Sequence, residues 1–235
     1  MEFGLLIVEG QHDAAVIAKL LAGFGLATVQ REEKLDPYWR SLYTGLRYPQ
    51  GGDLLKRMDV PTFAGSDTHS VAIRTADSDT KIAATLEATS ARLGSQVDRL
   101  HAIGIVCDAD RHDADQRMRK LRKTLNSRDL HFAADAPGII HAGPPRTGVM
   151  VFPDNFGPGT LEMLLEDCAA THYPALHTLA ADYVTRGAAH LDEKERLILD
   201  KGANRQKATI AAIGALLQPG ASLAVTLRQD RWLTG

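Results

Sequence analysis

Apolar residues run together in short blocks from the first residues onward, and most blocks are followed by a stretch with helical spacing. Phe3 to Val8 reads as a strand, and Asp13 to Phe24 as the helix behind it, with Ala14, Val16, Ile17, Leu20 and Leu21 on one face. Leu26 to Gln30 predicts a second, short strand and Val71 to Arg74 another. Asp79 to Leu93 has helical spacing, with Asp77, Ser78 and Asp79 available as N-caps. His101 to Cys107 is an apolar strand followed by a helix from Asp113 to Leu125. Gly148 to Phe152 is a further strand, and the helix beyond it is one that Thr160 can cap and that runs to Ala170. Helical patterns recur at Tyr173 to Val184 and Gln206 to Leu217. Strands alternating with helices in this way predict an α/β fold, a parallel Rossmann-like sheet flanked by helices.

The pattern fails between Arg31 and Ser70, where Pro37, Pro49, Gly51, Gly52, Pro61 and Gly65 interrupt it and Tyr38, Trp39, Tyr43 and Tyr48 supply aromatic anchors. So many aromatic residues point to an ordered, loop-rich insertion rather than a linker. The expected organisation is one domain over 1–235, with the insertion at 31–70 and a helical C-terminal extension at 171–235.

Composition narrows the class. Hydrophobic residues are 44% and charged residues 24% of 235, the balance of a globular chain. No segment approaches the roughly 20 apolar residues that span a bilayer. Met1 to Val8 lacks a basic leader and a cleavage site, so it reads as a core strand, and a cytoplasmic protein without membrane attachment is expected. Cys107 and Cys168 are too few and too far apart for a disulfide framework and read as reduced thiols. With 27 basic against 29 acidic residues the net charge is −2, so no global field attracts nucleic acid. Acids that await a cation would themselves lower that balance.

Two of the predicted strands run into acids. Glu9 follows the first, and Asp108-Ala109-Asp110 follows the strand that ends at Cys107. In an open parallel sheet the carboxyl ends of the strands share one edge, where ligands bind. If the extended geometry persists, Asp108 and Asp110 point the same way, and two like charges so close call for a cation. Mg²⁺ suits, with Mn²⁺ as a substitute, because it takes one or two carboxylates together with phosphate oxygens and water. Glu9 and Glu162 could complete such sites. The alternative is that acids after strands are helix caps and surface turns. Asp13 is open to both readings, as a metal ligand or as a first-turn acid favoured by the helix dipole. Asp154 lies nearer its strand end than Glu162 and competes with it.

Val8-Glu9-Gly10-x-x-Asp13, followed by a strand ending in Asp108-x-Asp110, resembles the Toprim domain shared by topoisomerases, bacterial primases, small maturation ribonucleases and OLD-type nucleases. Phe152-Pro153-Asp154-Asn155 and Gly157-Pro158-Gly159-Thr160-Leu161-Glu162 resemble the OLD-like branch. The resemblance runs from Phe3 to about Leu217, concentrated in three short windows. The stretch between Glu9 and Asp108 is longer than a compact Toprim domain has. The resemblance implies that Glu9 serves acid/base chemistry or metal binding, that Asp108 and Asp110 hold Mg²⁺, that Glu162 binds metal, and that Lys207, in preference to Lys201, contacts phosphate. It implies a nuclease acting on DNA or RNA. It also allows an ABC-type ATPase partner in phage defence and leaves a homo-oligomer open. The alternatives are a non-cleaving metal- or nucleic-acid-binding adaptor and a ribonuclease that matures ribosomal RNA. Topoisomerase-type cleavage needs a tyrosine from a further domain that the chain does not display, which makes water the expected nucleophile.

Arg117-Met118-Arg119-Lys120-Leu121-Arg122-Lys123 forms either a positive ridge for a nucleic-acid backbone or a solvated helix face. Gly157-Pro158-Gly159-Thr160 and Gly143 to Gly148 lack the P-loop pattern. His172 and His177 lack helical zinc spacing, and no Cys-x-x-Cys exists. His12 and His112 follow the acidic motifs and read first as surface residues. Trp39 with Tyr38 and Tyr43 either stacks bases or packs the insertion onto the core.

Overall fold

The computed structural model describes residues 1–44, 60–130 and 132–229. Tyr48, Pro49, Gly51 and Gly52 of the insertion lie outside the described residues. Seven strands form one sheet in the order β2 (Ala27–Thr28), β3 (Thr62–Gly65), β4 (His69–Thr75), β1 (Glu2–Val8), β5 (Leu100–Asp108), β7 (Arg146–Phe152), β6 (Ile140–His141). At its centre β1 pairs in parallel with β4 on one side and β5 on the other, as the alternating pattern predicts. The edges differ: β2 with β3, β3 with β4, and β6 with β7 are antiparallel. Part of the region expected as an insertion is therefore sheet. Strands of two to four residues carry too few positions for a period to declare itself, which is why β3 and β6 escape sequence reading.

The chain packs as two compact units, Met1–Cys107 with Met118–Met150, and Asp108–Arg117 with Val151–Gly235. In the first, α1 (Gln11–Gly23) and α3 (Ile82–Leu93) accompany the sheet, together with most of α4 (Ala114–Asn126). Phe3, Leu5 and Ile7 of β1 are buried while Glu2, Gly4 and Leu6 between them are less so, the two-residue alternation of a strand. In α1 burial is continuous from Asp13 to Ala18, whereas Leu20 faces solvent. The register sets Val8 opposite Thr75 on β4 and opposite Val106 on β5. Glu9 thus leaves β1 at the edge where the neighbouring parallel strands also end. The second unit holds α5 (Leu161–His172), α6 (Pro174–Ala188), α7 (Glu193–Leu199), α8 (Asn204–Leu217) and α9 (Leu223–Leu227). Leu161, Leu165 and Ala169 of α5 are buried, as are Ala180 and Val184 of α6 and Ile210 and Ile213 of α8, and the three helices pack on one another. Among the described residues no helix is long and apolar enough to cross a membrane.

The aromatic residues after Arg31 pack against the sheet. Tyr38 stacks on Phe3 with ring centroids 3.8 Å apart, and Trp39 meets Tyr38 edge-on at 4.6 Å. Trp39, fully buried in the short turn before α2 (Arg40–Tyr43), donates its indole N–H to Ser70 Oγ at 2.8 Å. A ring so enclosed stacks on no base, so Trp39 and Tyr38 take the packing role. The Tyr38 hydroxyl donates to the Gln96 carbonyl at 2.8 Å, and the Arg99 guanidinium lies 5.3 Å from the Tyr38 ring centroid. Burial pushes the Tyr38 hydroxyl from its ordinary 10.0 up to about 12, against the opposing pull of Arg99. The folded chain therefore favours the neutral phenol. Its contribution to stability is complete below the ordinary value and is lost as pH rises from there through about 12. In an ultraviolet titration, a phenolate transition near 12 should be present in the native protein and missing from Tyr38→Phe. Denaturant unfolding should show that variant about 0.5–1.5 kcal/mol less stable at neutral pH, the net worth of the lost hydrogen bond.

Candidate functional site

The backbone delivers Asp108 and Asp110 to the head of α5. Asp108 is the last residue of β5, and its Oδ1 accepts the backbone N–H of Leu161, the first residue of α5, at 2.9 Å. That N–H has no acceptor within its own helix. Thr160 occupies the N-cap position as its sequence suggests, but its hydroxyl makes no capping bond, so a carboxylate from a distant strand serves the helix instead. The negative charge also suits the positive end of the helix dipole. Ala109 between the two acids is fully buried, its N–H donating to the Phe152 carbonyl at 3.0 Å. Asp110 bonds Gly159 twice through the backbone: the Asp110 N–H donates at 2.8 Å and the Gly159 N–H returns to the Asp110 carbonyl at 2.7 Å. Asp110 takes φ 57, so the extended geometry expected of Asp-x-Asp ends before it.

Glu162 lies in the first turn of α5 and is 4% exposed. Lys207, on α8, holds its Nζ 3.8 Å from Glu162 Oε1. This is the lysine that the sequence ranks above Lys201. Lys201 instead lines a cleft of about 500 Å³ with Asp110, Arg111, Gly159, Thr160 and Gln206. Two cations and one carboxylate thus border that opening.

Asp154 has a different task. Its Oδ1 accepts the N–H groups of Phe156 and Gly157, each at 2.9 Å, and these donors hold its carboxyl below its ordinary pKa. Asp154 therefore shapes the turn between β7 and α5. The turn closes on Gly159 at φ 146, where a Cβ would come within 2.7 Å of Met163 Sδ and 2.9 Å of Pro153 Cδ. Only glycine fits. The run Gly-Pro-Gly-Thr before an apolar helix signals such a turn in the sequence; that it also anchors Asp110 does not show there.

Glu9 and Asp13 belong to the first unit. Asp13, buried, accepts the Gly10 N–H on its Oδ2 at 2.9 Å and so secures the start of α1. This is the helix-start reading, with one oxygen committed to the backbone. Glu9 is half-buried just beyond β1. His112, in the turn before α4, holds its Nδ1 3.3 Å from Gln116 Oε1 on that helix. Neither cysteine is in a disulfide: Cys107 is buried and Cys168 half-buried, where burial first and then the Asp167 charge push the Cys168 thiol up.

Asp108, Asp110 and Glu162 form a donor set of hard oxygens, which in chemical type fits Mg²⁺. Among the described residues no group of three or more His, Cys, Asp or Glu side chains already stands in position to hold a metal ion. The fit is therefore one of donor chemistry, on side chains that have not converged.

Fold and site together define a Rossmann-like α/β protein whose acidic strand end is fastened to the head of a helix. The chain belongs to the family described as Protein of unknown function (DUF3226), which matches residues 4–234. It is similar in fold to the crystal structure of the hypothetical protein PH0156 from Pyrococcus horikoshii OT3, at 19% identity and a TM-score of 0.53, over 97% of this chain and 87% of that one. No curated protein matches the chain.

The Asp154 turn yields a test. The carboxylate's hold on the turn is present above its ordinary pKa and is lost as pH falls through the lowered value. In hydrogen-exchange measurements Asp154→Ala should speed exchange at Phe156 and Gly157, while Asp154→Asn, which keeps the accepting oxygen, should protect both.

Proposed function

We propose that the chain is a metal-dependent phosphodiesterase acting on nucleic acid. The observation that carries the reading is the hydrogen bond from Leu161 N–H to Asp108 Oδ1, which fastens the Asp-x-Asp strand end to the helix that bears Glu162, with Lys207 beside Glu162. On this reading Asp108, Asp110 and Glu162 hold Mg²⁺. When bound, the metal neutralises phosphoryl oxygens and acidifies water. Lys207 supplies a fixed positive charge for the negative charge that grows on phosphorus-bound oxygen. For Glu9, in the first unit, the Toprim resemblance implies acid/base chemistry or metal binding. Asp13 keeps the start of α1 in place behind it.

The basic helix supports the choice of substrate. Arg119, Arg122 and Lys123 are exposed on α4, whereas its Lys120 is paired with Asp79 at 2.8 Å. Positions three and four apart share a helix face, so these three cations form one stripe suited to successive phosphates.

Two experiments test the reading. Purified protein incubated in Mg²⁺ or Mn²⁺ with plasmid, single-stranded DNA, transfer RNA and ribosomal RNA should cut at least one of them. Asp108→Ala and Glu9→Gln should abolish cutting, and Lys207→Ala should slow it about 10²- to 10³-fold, the scale of one lost electrostatic stabiliser. Undiminished cutting by Asp108→Ala would sink the site, and no cutting by the native chain would favour the non-cleaving adaptor. Separately, the logarithm of binding affinity should fall with the logarithm of salt concentration. Arg119→Glu, Arg122→Glu and Lys123→Glu together should flatten that slope by about 2 to 3. An unchanged slope would assign the stripe to solvent.

A further inference from the structure

Phe156 stands in the turn between β7 and α5 with 80% of its surface exposed. A lone exposed aromatic residue on a surface loop needs no explanation. This one is held in place on every side of its backbone. Asp154 takes its N–H at 2.9 Å, and its carbonyl accepts the Ala114 N–H at 3.0 Å. Asn155, next to it, is bonded twice to Val151, whose N–H donates to Asn155 Oδ1 at 2.8 Å and whose carbonyl accepts the Asn155 N–H at 2.8 Å. Asn155 sits at φ 67, in the left-handed region that asparagine adopts more readily than most residues with a side chain, and its own side-chain bond to Val151 holds it there. The same turn ends at Gly159, bonded twice to Asp110. The ring is thus presented to water by a backbone tied to the acidic strand end at one side and to the start of α4 at the other. Among the described residues it makes no aromatic pair.

We propose that Phe156 is a stacking platform for an unpaired nucleobase of a strand bound at the acidic site, an inference that rests on the nucleic-acid reading above. A phenyl ring has no hydrogen-bonding group, so it accepts the face of any base without choosing among them. Covering it removes apolar surface from water, and the fixed backbone means that little order must be bought on contact. A base inside a duplex already has both faces covered by its neighbours. The platform therefore selects single strands, frayed ends or extruded bases over intact duplex.

The test uses the whole chain in Ca²⁺ in place of Mg²⁺, with fluorescent single-stranded and blunt duplex oligonucleotides of one sequence, read by anisotropy. Phe156→Ala should bind the single strand about five- to hundredfold more weakly, the span expected of one base-aromatic stack, with duplex binding unchanged. Phe156→Trp should restore the affinity. A single strand carrying abasic sites should bind the native chain as weakly as the intact strand binds Phe156→Ala, and that variant should lose nothing further. A circular-dichroism melt matching the native protein would show that Phe156→Ala is folded, as an exposed ring leads one to expect. Equal affinity of native, Phe156→Ala and Phe156→Trp for the single strand, or an equal loss on both substrates, overturns the platform while leaving the nuclease reading intact. Failure of the native chain both to bind and to cut any nucleic acid overturns the two together.

Discussion

The backbone N–H of Leu161 has no acceptor inside α5, and Asp108 supplies one at 2.9 Å. The order of the site follows from that need. A helix must have its first N–H groups satisfied, and here the acceptor comes from the end of a strand more than fifty residues earlier in the chain. Once Asp108 is fixed, Asp110 falls against Gly159 and Glu162 lies one residue beyond the bonded amide. The charge that completes the helix is the same charge that a cation would use. A carboxylate so placed has one oxygen engaged by the backbone, which fixes the direction of the other.

A second constraint acts on the aromatic side of the sheet. Phe3, Tyr38 and Trp39 form a stack and an edge-on contact, and the indole N–H is satisfied by Ser70, a residue of the strand beside β1. A buried indole usually finds a partner for its N–H, because leaving that donor unpaired costs free energy. Residues that read as loop in the sequence thereby become part of the core that holds β1, the strand from which Glu9 leaves.

The parts of the fold that sequence reading recovers are those in which one physical signal dominates. β1 and β5 are apolar runs buried at the centre of a sheet, and α5 and α8 repeat their apolar positions at helical spacing; each could be located from hydrophobic pattern alone. β3, β6, α7 and α9 could not, because strands of two to four residues and helices of five to seven give no period to read. Of the acids, Asp108 and Asp110 stand out in the sequence at a strand end, whereas Glu162 is preferred to the nearer Asp154 only through the Toprim resemblance. Their connection does not show there. It depends on a capping bond from a non-local side chain, and the local pattern assigned that bond to Thr160. Asp154 shows the same limit from the other direction, since it has the residue type of a ligand while its geometry is that of a turn.

Asp110 meets Gly159 entirely through main-chain atoms. The junction is thus indifferent to which side chain residue 110 carries, provided it tolerates a positive φ. Asparagine or glycine could stand there with the closure intact. In an evolving lineage the framework and the side chain at this point are separable, and descendants could exchange one side chain for another without first having to rebuild the junction that supports it.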